Sequence, residues 1–149
     1  MSSDLNNYNK FALAPNLYQA FVAMTGDLRR TLRQAGIPLT FPQFQILEAV
    51  FNNPGLSQSD LAKETAKDNA AITRPLVYLE KQGLVERKWI NGCAKGVFAT
   101  AQGEKARLLL EDAIRKTCER ARAGMQEEQT ICLNKLLIHI KLNLTITSS

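Results

Sequence analysis

The sequence predicts a mainly α-helical protein with one small β-hairpin, and three observations predict it. Apolar residues recur at three- and four-residue steps through most of the chain. An Asn-Gly pair, Asn91-Gly92, separates two short strand-like runs, and this dipeptide signals a tight hairpin turn because both central positions need φ > 0. Gly or Pro punctuates the periodic stretches at Gly36, Pro54-Gly55, Gly83, Gly103 and Gly124.

The chain has 149 residues, enough for one domain with a real core, and residues 1–149 are taken as a single domain. Its 45% hydrophobic and 22% charged residues belong to a globular protein rather than a disordered tail. The net charge of +5 leans towards a polyanionic partner. No apolar run approaches the roughly 18 residues of a membrane span, so no membrane partner is expected. Residues 1–10 read as a polar arm; Asp4 and the lack of an apolar stretch argue against a secretory signal. Three irregularly spaced cysteines, Cys93, Cys118 and Cys132, fit a reducing cytoplasm better than a disulfide scaffold.

Each element has its own signal. Leu17, Phe21, Met24, Leu28 and Leu32 form one helical face, with Pro15 suited to the first turn and Gly36 to the stop. Thr40 caps a second helix from about Pro42, with Phe44, Ile46, Leu47, Val50 and Phe51 on its apolar face. Ser57 caps a third over "SQSDLAKETA", and Asp68 caps a fourth, "NAAITRPLVYLEKQG", which Gly83 ends. Strands are expected near Leu84–Ile90 and Cys93–Thr100. After Gly103 come two more helices, over 104–123 and from about Gln126 to Leu144, divided by Gly124. Two short helices joined by a tight turn and followed at once by a hairpin make a winged helix-turn-helix.

That arrangement has a chemical use. On the fourth helix, Ile72, Leu76 and Leu79 gather on one side and must face the core. Asn69, Ala70, Ala71, Thr73 and Arg74 make the first turns small and polar, a shape that enters a major groove about 12 Å wide. Arg74 could donate two bonds to a guanine, Asn69 could read an adenine, and the alanine methyls could meet thymine methyls. The alternative is an ordinary solvated helix start. Ser57 and Gln58, at the start of the third helix, are placed to hold a phosphate, or simply to cap. With Asn91-Gly92 as a two-residue turn, Ile90 pairs with Cys93, Trp89 with Ala94 and Lys88 with Lys95. Two facing lysines repel by about several tenths of a kcal/mol, which a phosphate would relieve. Arg87, Lys88 and Lys95 therefore look set to flank a duplex, against the alternative of a solvated hairpin.

Over roughly 12–142, and most closely over 40–103, the chain resembles the MarR-type winged helix-turn-helix transcriptional regulators. The run "LTFPQFQILEAVFNNPGLSQSDLAKETAKDNAAITRPLVYLEKQGLVERK" carries the likeness, with Leu-Ser before the first motif helix, Thr-Arg within the second and Leu-Glu-Lys-x-Gly-Leu-Val leading into the wing. The resemblance implies a DNA-binding part over 37–103 and dimerisation helices over 11–36 and 104–145. It implies a homodimer that binds a pseudo-palindromic site on double-stranded DNA, most often as a repressor. It also implies release by a small aromatic or phenolic effector, in a cleft that by position would involve Phe21, Met24, Phe44 and Leu47; plain core is the favoured reading of the same residues. Two departures stand out. The wing segment "INGCAKG" lacks the family's Asp-x-Arg-Arg pattern and is about two residues shorter, so no wing arginine carries over, and Lys88 or Lys95 can stand in only as point charges. Pro75 falls inside the recognition helix, where it withdraws an amide at a cost on the order of 3 kcal/mol and predicts a kink after Arg74.

Other functions are weighed on the same residues. Against an enzyme, the one histidine, His139, lies in an apolar helix, and no phosphate loop or paired metal-ligand motif is present; no cofactor or metal is expected. A thiol-based redox sensor is an alternative, with Cys93 beside Lys88 and Lys95 as its candidate. A winged-helix module that docks protein instead of DNA is another.

Overall fold

The computed structural model describes residues 11–146, with Ile146 through its backbone alone; the arm expected over 1–10 lies outside the described residues. Six helices and one two-stranded antiparallel sheet follow one another as α1 (Leu13–Gln34), α2 (Phe41–Asn52), α3 (Gln58–Glu64), α4 (Asn69–Lys81), β1 (Val85–Ile90), β2 (Ala94–Ala99), α5 (Ala101–Ala121) and α6 (Glu127–Ile146). The chain divides into two compact units, Met1–Thr117 and Cys118–Ser149.

The first unit owes its element boundaries to caps. The Thr40 amide donates to Gln43 Oε1 at 2.8 Å, half of a capping box that opens α2. Ser57 Oγ accepts from the Asp60 amide at 3.1 Å and opens α3. Asp68 Oδ1 accepts from the Ala71 amide at 2.7 Å and opens α4. Gly83, at φ +67°, turns the chain out of α4 into β1. Replacing Asp68 with alanine is expected to cost about 1 kcal/mol. A urea titration checks it: the midpoint should fall while the slope with denaturant stays constant.

Ile46, Leu47, Val50, Leu61, Ile72, Leu76 and Leu79 are fully enclosed, which seats α4 on α2 and α3 through one apolar face. Only the C-terminal half of α1 joins this core, through Leu28 and Leu32; Phe21 and Met24, earlier on the same stripe, are exposed. The buried Thr117 hydroxyl donates to Asp27 Oδ2 at 3.1 Å and ties α5 to α1.

Helix α1 begins at Leu13, which sets Pro15 in its first turn as expected. Two expectations change. Helix α5 begins at Ala101, so Gly103 lies inside it rather than before it; Thr100 Oγ1 accepts the Gly103 amide at 3.0 Å and starts the helix early. The hairpin register is shifted by one. Ile90 pairs with Ala94, Trp89 with Lys95 and Lys88 with Gly96, because Cys93 joins Asn91 and Gly92 in the loop. Asn91 and Gly92 do take positive φ, 51° and 75°, and the Cys93 amide donates to the Ile90 carbonyl at 3.3 Å. One additional loop residue suffices to change every cross-strand partner. The expected repulsion between Lys88 and Lys95 disappears with it. Helix α4 runs on through Pro75, whose half-buried ring leaves the Ala71 carbonyl without its usual amide.

The hairpin is locked to the body as well as to itself. Val97 exchanges backbone bonds with the α2–α3 loop, its amide to Leu56 O at 2.9 Å and its carbonyl from the Gly55 amide at 2.8 Å. Gly96 is required there, since a Cβ would lie 2.5 Å from the Gly55 oxygen.

The second unit holds the last residues of α5 and all of α6. Helix α6 is rich in leucine and isoleucine yet has no buried residue among those whose side chains are described; Ile131, Leu136, Leu137 and Leu142 are all exposed. No helix among the described residues is long and apolar enough to cross a membrane.

Candidate nucleic-acid interface

Helix α4 presents the surface its pattern predicts. Asn69, Ala70, Ala71, Thr73 and Arg74 are all exposed, while Ile72, Leu76 and Leu79 are fully buried. Arg74 makes no hydrogen bond or ion pair among the described residues, so its guanidinium is available to a ligand. Asn69 and Thr73 are held in place from α3: Gln58 Nε2 donates to Thr73 Oγ1 at 2.9 Å and approaches the Asn69 carbonyl at 3.4 Å. Thr73 Oγ1 in turn donates to the Asn69 carbonyl at 3.1 Å. Gln58 thus braces the first turn of α4.

Ser57 is also engaged. Besides capping, its hydroxyl donates to Asp60 Oδ2 at 2.6 Å. That bond holds the Asp60 carboxyl below the usual carboxylate range against an opposing desolvation, and the nearby Lys63 ammonium adds to it. The first turn of α3 therefore already carries an anion beside its cap.

On the wing, the charges are mostly paired. Arg87 Nε meets Glu80 Oε1 at 3.0 Å, which links β1 to α4, and Lys88 Nζ meets Glu86 Oε1 at 2.7 Å. Lys95 has no carboxylate partner among the described residues; its ammonium stands 4.9 Å from the centre of the Trp89 ring. Trp89, near the tip of the hairpin, comes opposite Lys95 only through the observed register.

The four positions proposed for an effector separate into two environments. Phe44 and Leu47 are core residues, whereas Phe21 and Met24 are exposed. Phe21 packs edge-on against Phe41, which stacks on Phe44, with centroids 5.2 and 6.1 Å apart. Phe44 also lines a small cleft of about 80 Å³ between α2 and α5, together with Glu48, Phe51 and Arg107. Burial pushes the Glu48 carboxyl up there. A larger cleft, of about 250 Å³, involves Ile37, Leu39, Tyr78, Leu84 and Lys105. The three cysteines are free and exposed, so exposure does not single out Cys93.

A buried-face helix seated on a shorter one, its outer face small and polar, with a hairpin pinned beside it, defines a winged helix-turn-helix protein. Comparison with known proteins narrows the class. Residues 37–88 match the MarR family. The HTH-type transcriptional regulator YybA of Bacillus subtilis is 28% identical over 110 residues, 72% of this chain and 73% of that protein. A MarR transcriptional regulator from Methanosarcina mazei Go1 has the same fold, with a TM-score of 0.81 at 18% identity over 95% of this chain and 96% of the other. The Mycobacterium tuberculosis MarR family protein Rv2887, solved in complex with DNA, matches at TM-score 0.71 and 25% identity over 86% of this chain and 96% of its own. Rv2887 has also been solved with salicylic acid, a match at TM-score 0.69 and 24% identity over 91% and 98% of the two chains. The fold is that of the MarR-type winged-helix regulators, and the relatives that this chain resembles are transcriptional regulators.

Proposed function

We propose that the protein is a homodimeric repressor that places α4 in the major groove of a pseudo-palindromic duplex and sets its wing alongside. The observation that carries this reading is the division of α4 between a fully buried apolar face and an exposed turn bearing Asn69, Thr73 and Arg74, which is unpaired among the described residues. The DNA complex of Rv2887 supports it. So do the large exposed apolar side chains of α1 (Tyr18, Phe21, Val22, Met24) and of α6, because a chain rarely leaves such surface to water unless another copy covers it. The salicylic acid complex of Rv2887 supports release by a small aromatic effector.

Salt dependence tests the reading. Binding to a duplex selected from random sequence should weaken linearly on a log–log plot, with a slope of about −0.9 per phosphate contacted. Lys95→Ala should weaken binding to all duplexes alike and flatten that slope by about one for each wing in contact. A partner interface dominated by apolar burial would hardly respond to salt, and that result would favour the protein-docking alternative. Binding unchanged by peroxide would remove the thiol-sensor alternative.

A further inference from the structure

The wing carries an exposed feature that the DNA-binding reading leaves unused. Trp89 is 65% exposed, and it is the only tryptophan in the chain. Indoles are rarely left so open, since the ring is a large apolar surface with a single donor at its edge. Alternation along β1 sets Val85, Arg87 and Trp89 on one side of the hairpin, with Ala99, Val97 and Lys95 as their cross-strand partners. The inner end of that side is core, because Val85 and Val97 are buried. Its middle holds the ion pair from Arg87 to Glu80 of α4. Its outer end is the Trp89–Lys95 pair, so that pair extends the hairpin side joined to the recognition helix.

We infer that Trp89 and Lys95 act as one DNA-contacting unit. The indole lies against the deoxyribose wall of the minor groove flanking the site that α4 enters, and the Lys95 ammonium meets the adjoining phosphate. This rests on the DNA-binding reading above. The chemistry favours a duplex backbone as the occupant. Lys95 occupies one side of the ring as a cation, which leaves an apolar surface and a positive charge side by side. Sugars and phosphates alternate along a groove wall at that scale, and minor-groove proteins combine apolar side chains with cations. The wing lacks a free arginine to perform this contact, since Arg87 is bound to Glu80.

The sole tryptophan makes the test direct. The full-length protein is titrated with a dye-labelled selected duplex; dye anisotropy reports binding, and tryptophan emission reports position 89. Emission should be quenched in step with the anisotropy, and the indole should become shielded from acrylamide. Trp89→Ala should weaken binding about tenfold with the salt slope intact, because an apolar contact releases no counterions. Trp89→Phe should restore most of the loss. Binding by anisotropy with unchanged emission and acrylamide access would overturn the inference while leaving the DNA reading in place. Quenching by single-stranded DNA alone would overturn it in favour of an unpaired base. No anisotropy change with any duplex would overturn both.

Discussion

Arg74→Ala is expected to relax sequence discrimination by about 1–3 kcal/mol at one base position in each half-site, with little change in affinity for unrelated duplexes. The reason lies in how this side chain is held. Arg74 is exposed and has no partner among the described residues, so nothing in the free protein competes for its two-pronged donor set. The helix beneath it is fixed by three enclosed side chains, Ile72, Leu76 and Leu79, and braced at its first turn by Gln58. A guanidinium on a rigid support can select one base edge; a lysine of the same charge lacks the fork. Selection from random duplexes with the parent and variant proteins measures this. Equal preference at every position would remove Arg74 as a reader of sequence.

The second large effect concerns stability. Gly103→Ala is expected to destabilise the protein by about 2 kcal/mol or more, even though alanine is the better helix former by about 1 kcal/mol. A Cβ at position 103 would lie 2.1 Å from the Leu84 carbonyl oxygen, and that atom is backbone. Leu84 cannot retreat freely: its amide is bonded to the Leu79 carbonyl and its carbonyl receives the Thr100 amide at 3.1 Å. Leu84 itself is buried. The contact therefore opposes the propensity gain and outweighs it. Differential scanning calorimetry should show a transition lowered by roughly 4–8 °C, at about 2–4 °C per kcal/mol for a chain of this size. A rise in the transition would show that α5 can shift away from the start of β1 at no cost.

Much of this molecule can be read from local chemistry. The caps Ser57 and Asp68, the stop at Gly83 and the buried stripe of α4 depend on residues within a few positions of one another, and the structure realises each. The fold class follows from that order of elements. Propensity and periodicity work here because each acts over a single turn of helix.

What escaped the sequence depends on contacts between segments far apart in the chain. The sequence by itself determined the elements, the apolar face of α4 and the small polar turn beside it. Only tertiary structure decided that Cys93 would fall in the hairpin loop, so that Lys95 lies opposite Trp89 rather than Lys88. The pinning of Val97 to Gly55 and Leu56 joins that hairpin to a loop some forty residues earlier, and the fit around Gly96 tolerates no side chain. The same holds for Gln58, whose bond to Thr73 exists only because α4 is packed beside α3. Turn dipeptides and helix faces are written in neighbouring residues; register and side-chain partners are set by which surfaces meet, and a shift of one residue exchanges them all.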